Sequence, residues 1–165
     1  MRHLGLDPGL TVTGWGIVDA DRGRLSHVAN GRITPDPKLE TSERLNVLRD
    51  GVLTVIRRFK PELVAIEEVF VARNPGTALK LGMARGVVMA AAAAEGLAVA
   101  EYAARVVKKA VVGVGGAEKS QVQAMVRRLL PGVEIAGDDE GDALAVAICH
   151  AHSADIERRR AGVGA

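Results

Sequence analysis

Three strand-like segments crowd the start of the chain, separated by turns too short to hold a helix. "RHLGLD" (Arg2–Asp7) runs into the turn signal "PGLT", "TGWGIVDAD" (Thr13–Asp21) into Arg22-Gly23, and "RLSHVANGRIT" (Arg24–Thr34) closes the series. Strands joined this tightly pair as an antiparallel meander. After a loop with Pro35 and Pro37 the period changes. Leu45, Leu48, Val52, Ile56 and Phe59 recur at helical steps, with Thr41 or Ser42 as candidate caps and Pro61 as the stop. "LVAIE" predicts a fourth strand, and a helical pattern follows from Thr77 to Glu95, stopped by Gly96. "LAVAE" (Leu97–Glu101) predicts a fifth strand, and helical segments follow near Arg105–Val112, Glu118–Leu130 and Asp139–Arg160. A meander followed by strand–helix alternation predicts an α/β fold, a five-stranded mixed sheet flanked by helices. With 165 residues, 48% of them hydrophobic, one domain is expected over residues 1–160, with a flexible Gly/Ala tail at 161–165.

Charge and cysteine content narrow the function only a little. The formal charge is +2, which permits nucleic-acid binding without demanding it. The single Cys149 excludes an internal disulfide framework and points to a reducing, cytoplasmic compartment. "MRHLGLDPG" reaches Asp7 before an apolar signal region can form, so no signal peptide is expected. The apolar stretch Gly86–Ala94 meets Glu95 and reads as too short to span a bilayer.

Acidic residues stand where buried elements end. Asp7 closes the first strand against Pro8-Gly9, Glu67 and Glu68 close the apolar run Leu63–Ile66, and Asp138, Asp139, Glu140 and Asp142 open an apolar helix. Each site has an ordinary explanation. A turn aspartate bonds its own backbone, a strand reaches solvent, and acids at a helix N-terminus satisfy free N–H groups. Asp139 and Asp142, however, lie three apart and share a helical face. If the fold gathers these groups, two charges ~4 Å apart repel by roughly 4 kcal/mol at an effective dielectric near 20. Some would then stay protonated, or a divalent cation would neutralise them. Oxygen ligands alone select a hard ion, Mg²⁺ or Mn²⁺. Cys149-His150-x-His152 lacks zinc-ligand spacing, and its histidines read as surface or helix-terminal residues.

Four motifs carry a family resemblance: "GLDPGLTVTGWGIV", "AIEEVFVARNPGTALKLGMARGV", "EYAARVVKKAVVGVGGAEKSQVQAMV" and "GDALAVAICHAH". Through them the chain resembles the RuvC family of bacterial Holliday junction resolvases over almost its whole length. The resemblance implies a ribonuclease H-like fold, which the order of elements also matches. It implies a homodimeric crossover junction endodeoxyribonuclease that hydrolyses phosphodiesters with two metal ions, leaving 5′-phosphate and 3′-hydroxyl ends. Matched by motif, the catalytic and metal-holding carboxylates are Asp7, Glu67, Asp139 and Asp142, with Asp138 an alternative to Asp139. Glu68 is expected on the opposite face of the strand.

The same resemblance marks Lys108 and Lys119 as phosphate-contacting, Phe70 as stacking on unpaired junction bases, and Arg73 and Asn74 as further DNA contacts. Lys109 reads as a solvated surface residue. "GVGGAEKS" fails as a P-loop because Glu118, not glycine, precedes Lys119, so Gly113, Gly115 and Gly116 read as a loop that approaches the DNA backbone. The small residues of Thr77–Glu95 suit a dimer interface, and RuvA and RuvB are the implied branch-migration partners. A non-catalytic junction-binding protein is one rival, against which the presence of all four carboxylates argues, and two more share the fold, in order an ATPase of the actin or sugar-kinase kind and a Yqg-type nuclease acting on ribosomal RNA precursor. The first needs a duplicated domain, and the long "EKSQVQAMVRRLL" match argues against the second.

Overall fold

The computed structural model describes residues 1–68, 74–160 and 162. The elements are β1 (Arg2–Asp7), β2 (Thr13–Asp21), β3 (Arg24–Ile33), α1 (Thr41–Phe59), β4 (Leu63–Glu68), α2 (Pro75–Ala94), β5 (Val99–Ala103), α3 (Ala104–Val112), α4 (Lys119–Leu129) and α5 (Asp138–Arg160). The sheet order is β3-β2-β1-β4-β5. β1 pairs antiparallel with β2 and β2 with β3, while β1, β4 and β5 run parallel. The expected five-stranded mixed sheet is therefore present, with the C-terminal ends of β1, β4 and β5 side by side.

Strand alternation sorts the two faces. Leu4, Leu6, Val64 and Ile66 pack beneath α1 and α2 with Val52, Ile56 and Val88. Ala65, Val18 and Ala20 face the other way, against α5 and the helices outside it, α3 and α4. α5 is sandwiched. From Ala143 to Cys149 no residue is more than 1% exposed, which is why its sequence is apolar on every side and carries no clear amphipathic stripe.

α5 lies unusually near the sheet because β1 and β2 present glycines to it. A Cβ on Gly5 would stand 2.1 Å from the Ala143 carbonyl oxygen, one on Gly14 2.0 Å from that of Asp139, and one on Gly16 2.6 Å from Leu144 Cγ. These approaches set the height of α5, and with it the position of its acidic first turn.

Several boundaries differ from the sequence reading. Glu40, not Thr41 or Ser42, caps α1, and its backbone N–H donates to Glu43 Oε2 at 3.0 Å. β5 starts at Val99 and runs to Ala103, because Leu97 N–H still bonds the Ala92 carbonyl and belongs to the helix end. α2 runs from Pro75 to Ala94, starting two residues before the expected Thr77, and is 20 residues long, so its apolar character extends well beyond the stretch Gly86–Ala94. By length and composition alone it could cross a membrane, although Ala84, Val88, Ala91 and Ala92 pack inward.

Candidate active site at the strand ends

Leu6 and Ile66 are direct partners across β1 and β4, so Asp7 and Glu67 follow them side by side. Both continue the alternation of Gly5 and Ala65 and therefore face α5. The N-terminal end of α5 supplies Asp139, in its first turn, and Asp142 just beyond it. Four carboxylates from three elements thus converge, and the charge environment records it. Asp7 is pushed up to about 7, first by burial and then by the charges of Asp142, Glu67 and Asp139, with Lys119 opposing. Glu67 is also raised, by burial and then by Asp142, while Lys108 and Lys119 pull it down.

Asp138 and Asp139 part company here. Asp139 is half-buried beside Gly14 and contributes to the field on Asp7. The Asp138 side chain is 72% exposed and approaches Lys119 Nζ at 3.3 Å. Glu68 lies on the α2 face of its strand, as alternation requires, and shares a cleft with Asp7, Pro8 and Leu81. A second cleft runs between Glu67, Lys108, Lys119 and Asp142.

Neighbouring contacts hold this arrangement. In the β1–β2 loop, Thr13 Oγ1 donates to the Gly9 carbonyl at 2.8 Å and accepts from Gly9 N–H at 3.2 Å. Glu140, which falls between Asp139 and Asp142 in the sequence, is buried. Its Oε2 accepts from Asn30 Nδ2 and from Ala136 N–H, both at 2.9 Å, and Oε1 lies 3.2 Å from Arg32 Nε. Sequence reasoning counted Glu140 only as one more helix-terminal acid; its burial, the distinguishing signal, depends on β3 lying opposite.

Lys119 opens α4 and reaches Asp142 Oδ2 at 2.9 Å, a contact that raises its own pKa. Lys108, half-buried on α3, faces Glu67, while Lys109 is exposed. Asn74 caps α2, its Oδ1 accepting from Gly76 N–H at 2.9 Å, a task the sequence reading did not assign. Phe70 and Arg73 lie outside the described residues. Gly115 has a packing reason of its own, since a Cβ there would stand 2.6 Å from Arg105 Cγ. The α5 histidines, expected at the surface or a helix end, are half-buried and have partners. His150 Nδ1 lies 2.8 Å from Tyr102 Oη, its ring packs edge-on to the buried His3, and His152 Nδ1 sits 3.3 Å from the Ala110 carbonyl.

The donor set fits hard divalent cations. It consists of carboxylate oxygens in which burial first, and mutual repulsion second, raise the proton affinity of Asp7 and Glu67, so bound positive charge would offset both. Among the described residues no three His, Cys, Asp or Glu side chains lie within coordinating range of one point, and Lys119 pairs with Asp142.

The family model described as crossover junction endodeoxyribonuclease RuvC matches residues 3–150. The crossover junction endodeoxyribonuclease RuvC of Paramagnetospirillum magneticum is 55% identical over 161 residues, 98% of this chain and 97% of the relative. Its counterpart in Rhodospirillum rubrum is 54% identical over 152 residues, 92% of this chain and 90% of the relative. Among solved structures, Thermus thermophilus RuvC in complex with a Holliday junction substrate superposes with a TM-score of 0.88 at 36% identity, covering 95% of this chain and 96% of that one. A yeast mitochondrial Holliday junction resolvase shares the fold, with a TM-score of 0.69 at 13% identity over 98% of this chain and 84% of its own.

Proposed function

The chain belongs to the RuvC family of crossover junction endodeoxyribonucleases, and from that premise we propose how it cuts a Holliday junction. It is a Holliday junction resolvase of recombination and repair, in a family of metal-dependent nucleases. The observation that carries the mechanism is the convergence of Asp7, Glu67, Asp139 and Asp142 at the ends of β1 and β4 and the start of α5. In this reading the four carboxylates hold two Mg²⁺ or Mn²⁺ ions. Such ions supply, when bound, the positive charge that phosphodiester hydrolysis needs at the attacking and departing oxygens.

The chain's own residues do the rest. Asp7 and Glu67, fixed on adjacent central strands, present their carboxylates with little freedom to move, which keeps the site organised before DNA arrives. Lys108 and Lys119, lining the cleft beside Glu67, offer ammonium groups to the phosphates that flank the cut. Phe70 is assigned to stacking on unpaired junction bases, and Arg73 and Asn74 to further phosphate contacts. The products carry 5′-phosphate and 3′-hydroxyl ends.

Paired nicks need two sites related by the junction's approximate two-fold symmetry. A second copy docked on α2 provides them. Leu79 is 61% exposed and Met83 39%, and both lie on one face with Gly82 and Gly86, where an added Cβ would meet nothing within 4 Å. That stripe leaves room for a second helix backbone. The enzyme would work on chromosomal DNA in the cytoplasm alongside RuvA and RuvB. Incubation of a synthetic four-way junction with the protein, with and without Mg²⁺ or Mn²⁺, tests the reading: symmetric nicks that need the metal are expected, and efficient cleavage in excess EDTA would overturn it.

A further inference from the structure

We propose that Gln123 is a positioning residue for Asp142, acting through that carboxylate and not on the substrate. The proposal rests on the reading of Asp142 as a member of the metal-holding set. Gln123 is only 8% exposed and sits on α4 beside Val122, on the helix side that meets α5. Its Nε2 donates to Asp142 Oδ1 at 3.1 Å and lies 3.4 Å from the Asp138 carbonyl oxygen. One turn earlier on α4, Lys119 approaches the other oxygen, Asp142 Oδ2, at 2.9 Å. Both oxygens of Asp142 are therefore held from one helix, one by a charge and one by a neutral amide.

The two contacts are not equivalent. An amide NH₂ has only hydrogens to offer a carboxylate, so it fixes the rotamer without bringing charge that would repel a cation. A partner of this kind orients a metal-holding carboxylate and is commonly worth about 10–100-fold in metal affinity or activity when lost.

A separate part of the chain makes room for the amide. A Cβ at residue 141 would stand 1.9 Å from Gln123 Oε1 and 2.3 Å from its Nε2. The amide has its seat because Gly141, next to Asp142, has no side chain. The bland alternative is that Gln123 fills space between α4 and α5.

Gln123→Met separates the two readings, since it keeps the volume and removes the donor. Melting is followed in EDTA and against rising Mn²⁺, junction cleavage is followed against Mn²⁺, and junction binding is measured in EDTA. The expected result is an unchanged metal-free melting temperature and unchanged binding, with ~10–100-fold more Mn²⁺ needed both for stabilisation and for cleavage. Gly141→Ala should raise the Mn²⁺ demand similarly, and the two changes together should cost far less than the product of the singles. If the wild type cuts and binds Mn²⁺ but Gln123→Met does so at the same concentrations, the proposal falls while the family mechanism stands. A lowered metal-free melting temperature with unchanged Mn²⁺ demand would make Gln123 a packing residue. If the wild type shows no Mn²⁺-dependent stabilisation or cleavage, the reading of Asp142 fails first, and this proposal with it.

Discussion

Asp7 concentrates the electrostatic conflict of the site. Its carboxyl sits near 7 in the fold against an ordinary 3.8, so the folded chain binds that proton more tightly than the unfolded chain does. The stability tied to the proton is present in full below about pH 4 and is lost as the pH climbs through 7. In EDTA, Asp7→Asn should match the wild type near pH 4 and exceed it at pH 8 by a few kcal/mol, about 4 at most. Denaturant melts across that range check this, and a difference that does not change with pH would contradict it. The same variant should lose junction cleavage while keeping or tightening binding, because phosphate repulsion falls; near wild-type cutting would place the site elsewhere. Lys119 presents a different residue-scale question, since its ammonium already lies on Asp142. If it also meets DNA phosphate, Lys119→Ala should make the slope of log affinity against log salt shallower by roughly one unit. Lys38→Ala, in an exposed loop between β3 and α1, should leave the slope unchanged.

At the scale of elements, α5 decides whether there is a site at all. Its acidic turn reaches Asp7 because Gly5, Gly14 and Gly16 let the helix settle onto the sheet, and because Glu140 ties that turn to β3 through Asn30 and Arg32. Gly14→Ala places a methyl group on the Asp139 carbonyl. The helix start must then shift, at a cost of about 1–3 kcal/mol. Cleavage should fall further than stability explains, since the displaced carboxylates are the ones proposed to hold metal. Urea titration with single-turnover cleavage on the same preparation measures both; a variant that melts and cuts like the wild type would show that the approach relaxes freely.

On the scale of the whole molecule, the open stripe on α2 matters because a junction must be cut twice. Leu79→Glu buries a charge if two copies meet there, and should shift the protein from dimer to monomer in sedimentation. On a supercoiled plasmid carrying a cruciform, the variant should accumulate singly nicked circles where the wild type yields linear DNA. A dimer that survives Leu79→Glu would move the interface to another face.

Much of this protein is legible before folding is considered. The meander, the change of period after Pro35 and the acidic residues at strand ends are local signals, because strand, helix and turn preferences act over a few residues. They predicted the sheet and the three separate places where its carboxylates stand. Helix ends were less legible. The cap at Glu40 and the late start of β5 depend on hydrogen bonds that several conformations of the same residues could make. Tertiary structure alone decided which carboxylates face one another. Asp138 and Asp139 are adjacent and chemically identical, yet only the packing of α5 on glycine sends one toward Asp7 and the other toward Lys119. The roles of Glu140 and Gln123 were equally hidden, because each is defined by partners more than 15 positions away in the chain. Proton affinity belongs to the same class: burial and the summed field of distant charges set it, and neither exists until the chain has closed on itself.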